Sequence, residues 1–97
     1  MPSDIVYEDD KVIAFKDIHP KAPFHILIVP KKHVESVIAL EEADKDLAGE
    51  IILTAKKIAG DNNLKGYKLI FNVGREGGQI INHLHLHLLA GKPTEMP

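Results

Sequence analysis

The chain has 97 residues, of which 44% are hydrophobic and 27% are charged, and its formal net charge is −2. This length suits one domain with a single core. The small negative charge gives no general attraction to nucleic acid or to a membrane surface, so we expect neither as a partner. The chain has no cysteine, which excludes a disulfide framework and a thiolate zinc site. No apolar run reaches the length of about 18 residues that spans a bilayer, and the N-terminus lacks the pattern of a secretory signal, so a cytoplasmic protein is expected.

The N-terminal third predicts three short β-strands. Ile5–Glu8 and Val12–Lys16 are separated by three polar residues, which is typical of a tight antiparallel hairpin. Two prolines in the segment 17–23 predict a loop that leaves the sheet. Phe24–Val29 is apolar except for His25, which predicts a central strand covered on both faces.

A helical pattern follows over Glu41–Ala59. Its apolar residues recur every three to four positions and form one stripe that contains Leu47, Ile51, Ala55 and Ile58. Acidic residues near its start and lysines near its end complement the helix dipole, and Gly60 suits the left-handed residue that often follows a helix. Tyr67–Val73 predicts a fourth strand, which a glycine-rich segment, 74–79, connects towards the C-terminal strand.

These elements together predict an α+β fold. We expect an antiparallel sheet of about five strands with one main helix packed on it. Such a small sheet leaves its edge strands open, which favours pairing with a second copy of the chain. The sheet is therefore expected to extend across a homodimer.

The fifth strand is His83–Leu89, in which histidine and leucine alternate strictly. Because successive side chains of a strand point to opposite faces, three imidazoles share one face and three leucines share the other. The leucine face suits a core, whereas burial of imidazoles costs free energy unless their nitrogens find hydrogen-bond partners. The histidine face is therefore predicted to line a polar cleft.

Three interpretations of this face are open from the residues alone. The histidines could simply lie on a solvated strand. Strand residues two apart are separated by about 6.6 Å, so the outer two histidines are separated by about 13 Å and all three cannot share one ion. A zinc ion could therefore use two of them with a remote ligand such as His25 or Asp17. The third interpretation is nucleophilic catalysis, in which one nitrogen of a neutral imidazole attacks while the other holds its proton. His85, with a histidine on each side, is then the nucleophile, and glycines in the segment 74–79 can direct backbone N–H groups to a phosphate.

At these residues the chain resembles the histidine triad (HIT) family, whose motif is His-φ-His-φ-His-φ-φ with φ apolar. The resemblance covers nearly the whole chain. Its further motifs are Asp17-Ile18 before a proline-bearing loop, His25–His33, Asn72, Gly77-Gly78-Gln79 and Ala90-Gly91-Lys92. They look most like the Hint branch, the histidine triad nucleotide-binding proteins. The resemblance implies a single HIT domain over residues 1–97, a homodimer, and no metal or other cofactor.

The resemblance also implies an activity, the hydrolysis of the P–N bond of purine nucleoside 5′-phosphoramidates to purine nucleoside monophosphates. His85 would attack the α-phosphorus, expel the amine and form a nucleotidyl-histidine that water hydrolyses. The main-chain carbonyl of His83 would fix the tautomer of His85. His87 would contact the phosphate and assist proton transfer, and His25 would complete the polar site.

The remaining candidate residues are expected to bind the substrate. Asp17 would accept hydrogen bonds from the ribose hydroxyls, although an Asp before a proline-rich turn can also simply cap the loop. Ile18 and Phe15 would pack against base or ribose, with ordinary core positions as the other interpretation. Asn72 would complete the polar site or only close the turn through side-chain hydrogen bonds. The turn expected to bind phosphate comprises Gly78, Gln79 and Ile80.

Two departures from the family pattern bear on turnover. Many relatives have a hydroxyl residue where this chain has Ile80, which offers only its backbone N–H to a leaving group. Relatives also begin some two dozen residues earlier with a short helix that closes the base pocket, so a more open pocket is expected, and the tail Lys92–Pro97 would reach towards the partner subunit. A purine nucleotide-binding protein with weak or no turnover is therefore the main alternative. A His-ligated metal enzyme is the other.

Overall fold

The computed structural model describes residues 4–91 and contains a five-stranded antiparallel sheet with one long helix. Its elements are β1 (Ile5–Glu8), β2 (Val12–Lys16), β3 (Phe24–Pro30), α1 (Lys45–Asp61), β4 (Lys68–Ile70) and β5 (Leu86–Ala90). The strand order is β1-β2-β3-β5-β4, and all neighbours are antiparallel. The predicted α+β fold is confirmed. The expectation for the tail Lys92–Pro97 lies outside the described residues, and within residues 4–91 no helix is long and apolar enough to cross a membrane.

One face of the sheet packs against α1 and forms the core. The helix contributes Ile51, Ala55 and Ile58, and the sheet with its adjoining residues contributes Val12, Ala14, Ile26, Ile28, Leu84, Leu86 and Leu88. Burial of each leucine or isoleucine side chain stabilises the fold by about 1.5–3 kcal/mol. This burial determines which face of β2, β3 and β5 is turned towards α1.

The central strand is β3, as predicted, but its two faces have different surroundings. Ile26 and Ile28 are buried against the helix layer. The alternate residues His25, Leu27 and Val29 point to the opposite face and line an open cleft. The prediction of cover on both faces is therefore wrong for the described chain, because its one long helix covers one side of the sheet.

The helix differs from the sequence prediction at both ends. It begins at Lys45, because Glu41 and Asp44 exchange side-chain and backbone hydrogen bonds in a capping box around a short 3₁₀ turn. Gly60 lies inside the helix, and the left-handed conformation is adopted instead by Asn63, with φ 59°. Asparagine tolerates this conformation better than most residues, which lets the helix continue past the glycine.

The histidine segment enters the sheet later than its pattern predicts. The ladder of β5 begins at Leu86, whereas the alternation begins at His83. Leu84 is held by a tertiary contact, since its N–H donates to the carbonyl of Val34 at 2.6 Å. The alternation of faces is nevertheless maintained, because Leu84, Leu86 and Leu88 are all buried.

The end of β5 depends on a glycine. Gly91 has φ +120°, and a Cβ atom there would lie 2.8 Å from both Cβ and Cγ of Pro23. We expect Gly91→Ala to lower the free energy of unfolding by about 1–3 kcal/mol from backbone strain, with the steric overlap adding to this loss. Urea unfolding measures the change.

Gly49→Ala is the matched control. Gly49 lies inside α1, and a Cβ atom there would have no neighbour within 4 Å. This variant should be more stable than the wild type by about 0.5–1 kcal/mol, because alanine is the better helix former. Equal stability of the Gly91→Ala variant and the wild type would contradict the interpretation of the Pro23 contact.

Candidate functional site

The sheet face opposite α1 forms the floor of an open cleft with a volume of about 1100 Å³. The loop 17–23 and the turn 78–81 contribute to its walls. Most of the predicted site residues line it: Phe15, Asp17, Ile18, His25, Asn72, Gly78, Ile80, His83, His85 and His87. The sheet therefore brings together residues from three distant parts of the chain.

His85 is held in one tautomer by the main chain. Its Nδ1 lies 2.7 Å from the carbonyl oxygen of His83. Because a carbonyl oxygen can only accept, Nδ1 carries the proton and Nε2 keeps its lone pair. His85 is half-buried and lines the cleft. This is the tautomer that a nucleophilic imidazole needs.

The ring of His83 is anchored at the start of the histidine row. Its Nε2 lies 3.0 Å from the carbonyl oxygen of Pro30, the last residue of β3, and therefore donates. The ring of His33 packs edge-on against it, with centroids 5.0 Å apart. His83 thus holds the backbone segment whose carbonyl orients His85.

His25 and His87 form a second hydrogen-bonded chain. The backbone N–H of Lys21 donates to Nδ1 of His25 at 2.9 Å, which leaves the proton of the neutral His25 ring on Nε2. That Nε2 lies 2.9 Å from Nδ1 of His87 and donates to it. The proton of the neutral His87 ring is consequently on Nε2. His87 therefore carries an N–H donor in the lining of the cleft.

The surroundings of these two rings disfavour their charged forms. Burial, together with the neighbouring His85 and His25, lowers the pKa of His87 from its ordinary value of 6.5 to about 4, although Asp17 partly opposes this shift. Burial also lowers the pKa of His25, which Asp17 partly opposes. Both rings are neutral near pH 7, in agreement with the assigned tautomers. A phosphate anion in the cleft would raise the pKa of His87, because an opposite charge favours the imidazolium.

Asp17 contacts both the loop and the histidine chain. Its Oδ1 accepts the N–H of His19 at 2.8 Å, which confirms the loop-capping interpretation. Its Oδ2 lies 3.4 Å from Nε2 of His25. The side chain is 18% exposed and lines the cleft, so a ligand hydroxyl can reach the carboxylate. Ribose binding by Asp17 stays a prediction.

Gln79 does not line the cleft, contrary to its expected contact with substrate. Its side-chain amide donates to the carbonyls of Glu35 at 2.6 Å and Ile81 at 2.9 Å, and its Oε1 accepts the N–H of Gly74 at 2.9 Å. The residue is only 7% exposed. Its polar groups are used inside the protein because a buried amide must be hydrogen-bonded. Gln79 supports the turn from within.

The turn offers fewer phosphate donors than the resemblance implies. The N–H of Gly78 donates to the carbonyl of Arg75 at 3.0 Å and is not available to a ligand. Asn72 closes the turn, as its Nδ2 donates to the carbonyl of Gly77 at 2.9 Å. Among the backbone hydrogen bonds within residues 4–91, none uses the N–H of Ile80, whose side chain is 92% exposed at the cleft. The N–H of Ile80 is thus one donor that this turn can give to a phosphate.

Phe15 and Ile18 supply apolar surface in the cleft rather than in the core. Phe15 is half-buried on β2, and Ile18 is 71% exposed in the following loop. Neither residue belongs to the buried cluster under α1. The core interpretation of these residues is therefore wrong. Their contact with base or ribose stays a prediction.

The metal interpretation meets a specific obstacle. One ligand atom from each of Asp17, His25 and His87 lies within 4.8 Å of the others. A metal ion would need a lone pair on Nε2 of His25, but the N–H of Lys21 donates to Nδ1 and leaves the ring proton on Nε2. The 2.9 Å separation of the two imidazole nitrogens suits a shared proton. The cluster fits a hydrogen-bonded network better than a metal site.

Two functional groups escaped the sequence analysis because they belong to the backbone. The N–H of Lys21 and the carbonyl of Pro30 each set the protonation of an imidazole nitrogen. Neither contact depends on the residue's side chain, so no sequence signal could have indicated them. The apolar floor at Leu27 and Val29 was predictable, because these residues alternate with the buried residues of β3.

Comparisons with known proteins identify the family of this chain. The chain matches the family model described as HIT domain over residues 1–94. It is 43% identical over 98 residues to an uncharacterized HIT-like protein of Synechococcus elongatus, and the match covers 100% of this chain and 86% of that protein. The chain therefore belongs to the HIT family, as its histidine motif indicated.

Solved structures show the same relationship. A HIT family hydrolase from Legionella pneumophila superposes with a TM-score of 0.96 at 43% identity, covering 100% of this chain and 88% of that one. A histidine triad nucleotide-binding protein from Candida albicans superposes with a TM-score of 0.81 at 29% identity, covering 100% of this chain and 78% of that one. The fold is thus shared with a hydrolase and with a nucleotide-binding protein.

The low pKa of His87 predicts a pH-dependent stability. Because its folded value of about 4 lies below the ordinary 6.5, the unfolded chain binds this proton more tightly than the folded chain. The stabilisation is fully present above pH 6.5, and the free energy of unfolding should fall as the pH decreases from 6.5 towards 4. Urea unfolding across this range measures the effect, and imidazole NMR gives the titration midpoint.

The variant His87→Gln is the control for this titration. It cannot take up the proton, so its stability should depend less on pH between 6.5 and 4 than that of the wild type. A His87 midpoint near 6.5 in the folded protein would contradict the prediction.

Proposed function

We propose that this protein hydrolyses the P–N bond of purine nucleoside 5′-phosphoramidates through a nucleotidyl intermediate on His85. The observation that carries the proposal is the 2.7 Å hydrogen bond from Nδ1 of His85 to the carbonyl of His83. It leaves the lone pair of Nε2 on an imidazole that lines the cleft. The hydrolase among the structural relatives supports the reaction class.

In the first step, Nε2 of His85 attacks the α-phosphorus. A bond forms between phosphorus and Nε2 while the P–N bond to the amine breaks. The amine leaves with the Nε2 proton of His87, which by then carries protons on both nitrogens because the bound phosphate favours its imidazolium form. The attacking ring gains positive charge, which its Nδ1–H shares with the carbonyl of His83. The main chain thus stabilises the charge that develops in the nucleophile.

In the second step, water attacks the phosphorus of the intermediate. His87 takes a proton from this water, the bond between phosphorus and Nε2 of His85 breaks, and the nucleoside monophosphate is released. His85 returns to its starting tautomer because its proton stays on Nδ1, where it donates to the His83 carbonyl throughout. The two imidazoles therefore have separate roles, one as nucleophile and one as proton carrier.

The charges of the cleft favour an anionic substrate. Among the described residues, the charged side chains that line it are three lysines, Lys16, Lys21 and Lys68, and one carboxylate, Asp17. His87 adds an N–H donor without charge near pH 7. The phosphate of a nucleotide would accept hydrogen bonds from the N–H of Ile80 and the Nε2–H of His87. Asp17 would accept hydrogen bonds from the ribose hydroxyls, and Ile18 and Phe15 would contact the purine base.

The main alternative is a nucleotide-binding protein with weak or no turnover. The observation that favours it is Ile80, since its apolar side chain offers no hydroxyl to a leaving group at this turn. The nucleotide-binding relative has the same fold. The two functions differ in whether a covalent nucleotidyl-histidine forms.

His85→Ala and His85→Gln test the proposed function. We expect both variants to hydrolyse a fluorogenic adenosine phosphoramidate at least about 1000-fold more slowly than the wild type, because the nucleophile is lost. Glutamine can still donate a hydrogen bond to the His83 carbonyl, so it separates loss of the nucleophile from loss of this contact. Mass spectrometry of quenched wild-type reactions should find the nucleotide attached to His85.

Other results would direct the assignment elsewhere. Wild-type binding of adenosine monophosphate without turnover would favour the nucleotide-binding alternative. Loss of turnover on addition of a chelator would favour a metal enzyme at Asp17, His25 and His87. Turnover by His85→Ala at the wild-type rate would contradict the nucleophile assignment.

We further propose a homodimer, in the cytoplasm. The support is exposed apolar surface on two elements: Ile52 and Leu53 of α1 are 46% and 59% exposed, and Tyr67 and Leu69 at the edge strand β4 are 40% and 37% exposed. An open sheet edge and an apolar helix face are what a second copy can cover. Most dimers of identical chains pair the same patch of each copy about a two-fold axis, and we expect this symmetric arrangement here.

Leu53→Glu tests the dimer. The substitution places a charge on the apolar part of α1 and should convert a dimer to a monomer in light scattering after size-exclusion chromatography. Lys65→Ala is the control, since it makes the same change in net charge at an exposed residue outside α1. A wild-type protein that is monomeric at high concentration would contradict the dimer.

A further inference from the structure

The hydrogen-bond chain that ends at His87 holds this imidazole in its neutral form. Nδ1 of His87 accepts the Nε2–H of His25 at 2.9 Å. To release a proton from Nε2 and remain a neutral imidazole, His87 must first carry protons on both nitrogens. The Nδ1 of His87 can accept this second proton only when the N–H of His25 donates to another acceptor instead.

His25 has little freedom to provide this change by itself. Its Nδ1 is occupied by the N–H of Lys21 at 2.9 Å, so the ring cannot move its proton there without placing two donors against each other. Its side chain is only 1% exposed, so bulk water cannot accept from it. The alternative acceptor must therefore be a nearby protein group.

One such group is present. Oδ2 of Asp17 lies 3.4 Å from Nε2 of His25, and Asp17 is the only acidic residue lining the cleft in the part of the chain that the structure describes. A movement of about half an ångström would shorten this contact to an ordinary hydrogen bond. Oδ1 is occupied by the N–H of His19, which keeps the carboxylate in place.

We propose that Asp17 is a positioning residue for proton transfer, whose Oδ2 accepts the His25 N–H and thereby allows His87 to become the acid for the leaving group. This inference rests on the proposed function and gives Asp17 a role beyond ribose binding. The negative charge of Asp17 also favours the imidazolium of His87, which it faces together with His25.

The protons balance over the cycle. Protonated His87 gives its Nε2 proton to the amine as the P–N bond breaks and the bond from phosphorus to Nε2 of His85 forms. His87 is then neutral, with its proton on Nδ1, and its Nε2 takes a proton from the attacking water in the second step. The bond from phosphorus to His85 breaks, and the imidazolium of His87 is restored. Asp17 and His25 neither gain nor lose a proton.

The other charged groups around this pair act in the opposite direction. The charge of Lys21 lowers the pKa of His25, and His85 lowers that of His87. Lys16 and Lys68 also line the cleft. Asp17 is therefore the group whose removal should most disfavour a charged His87, apart from the bound phosphate itself.

Asp17→Asn separates the two roles of this residue. The asparagine oxygen can still accept the N–H of His19 and preserve the loop, but the variant has no carboxylate charge and only one acceptor oxygen. Two adenosine 5′-phosphoramidates serve as substrates. One has an alkylamine leaving group, which must be protonated to leave, and the other has a nitroaniline, which leaves with far less need for an acid.

We expect Asp17→Asn to lower kcat for the alkylamine substrate by about 100-fold, and kcat for the nitroaniline substrate by less than about threefold, because only the first depends on general acid catalysis. KM should rise similarly for both through the weakened ribose contact. A loss of kcat that is equal for the two substrates, or a change confined to KM, would overturn the inference and leave Asp17 as a ribose ligand alone.

Two controls isolate the effect of the carboxylate. The corresponding 2′,3′-dideoxyadenosine substrates carry the same two leaving groups but lack the ribose hydroxyls. With these substrates the wild type, which retains Asp17, should show a higher KM and an unchanged ratio of the two kcat values. Asp46→Asn removes a carboxylate from the exposed first turn of α1 and should leave both substrates unaffected. A leaving-group dependence in Asp46→Asn would attribute the effect to net charge and overturn the inference.

Imidazole NMR provides a readout that does not need turnover. In the complex with adenosine monophosphate, the pKa of His87 should be lower in Asp17→Asn than in the wild type, and equal values would overturn the inference. If the wild type turns over neither substrate, the proposed function fails, while the NMR comparison still decides whether Asp17 controls the protonation of His87.

Discussion

The two-residue period of β5 is the constraint on which the site depends. Leu86 and Leu88 are buried beneath α1, and this places His85 and His87 on the opposite face, in the cleft. A slip of one residue in the register would exchange the two faces, burying imidazoles in an apolar core and exposing leucines to the cleft. The free energy that the core gains from its leucines therefore also orients the histidine side chains of the cleft. Stability and function are coupled through a single strand.

Main-chain groups then decide what the imidazoles can do. A neutral imidazole has one donor and one acceptor nitrogen, and at His85 and His25 a backbone group determines which is which. At His85 the carbonyl of His83 holds the proton on Nδ1, whereas at His25 the N–H of Lys21 forces it onto Nε2. The two rings have opposite tautomers because a carbonyl accepts from His85, whereas an amide N–H donates to His25. The sheet and its adjoining loop hold both groups in place.

The turn before β5 shows how a buried polar side chain can support a site without contacting its ligand. Gln79 makes three hydrogen bonds to backbone groups and thereby fixes the path of the chain from Gly74 to Ile81. This path places Ile80 at the cleft with its N–H unused among residues 4–91. Ile80 and the exposed Ile18 together give the cleft an apolar surface beside its row of polar histidines. A nucleotide has the same combination of an apolar base and a charged phosphate.

The sequence by itself determined the strands, the helix, the faces of β5 and the family, because these depend on the spacing of residues within one segment. It did not determine that Gly60 would lie inside the helix, that Gln79 would be buried, or that Asp17 would both cap its loop and reach His25. Such contacts join segments far apart in the chain, and many of them use backbone groups that every residue type carries. Only the tertiary structure decided the tautomers of His85 and His25, because the atoms that impose them meet through the packing of loops and strands.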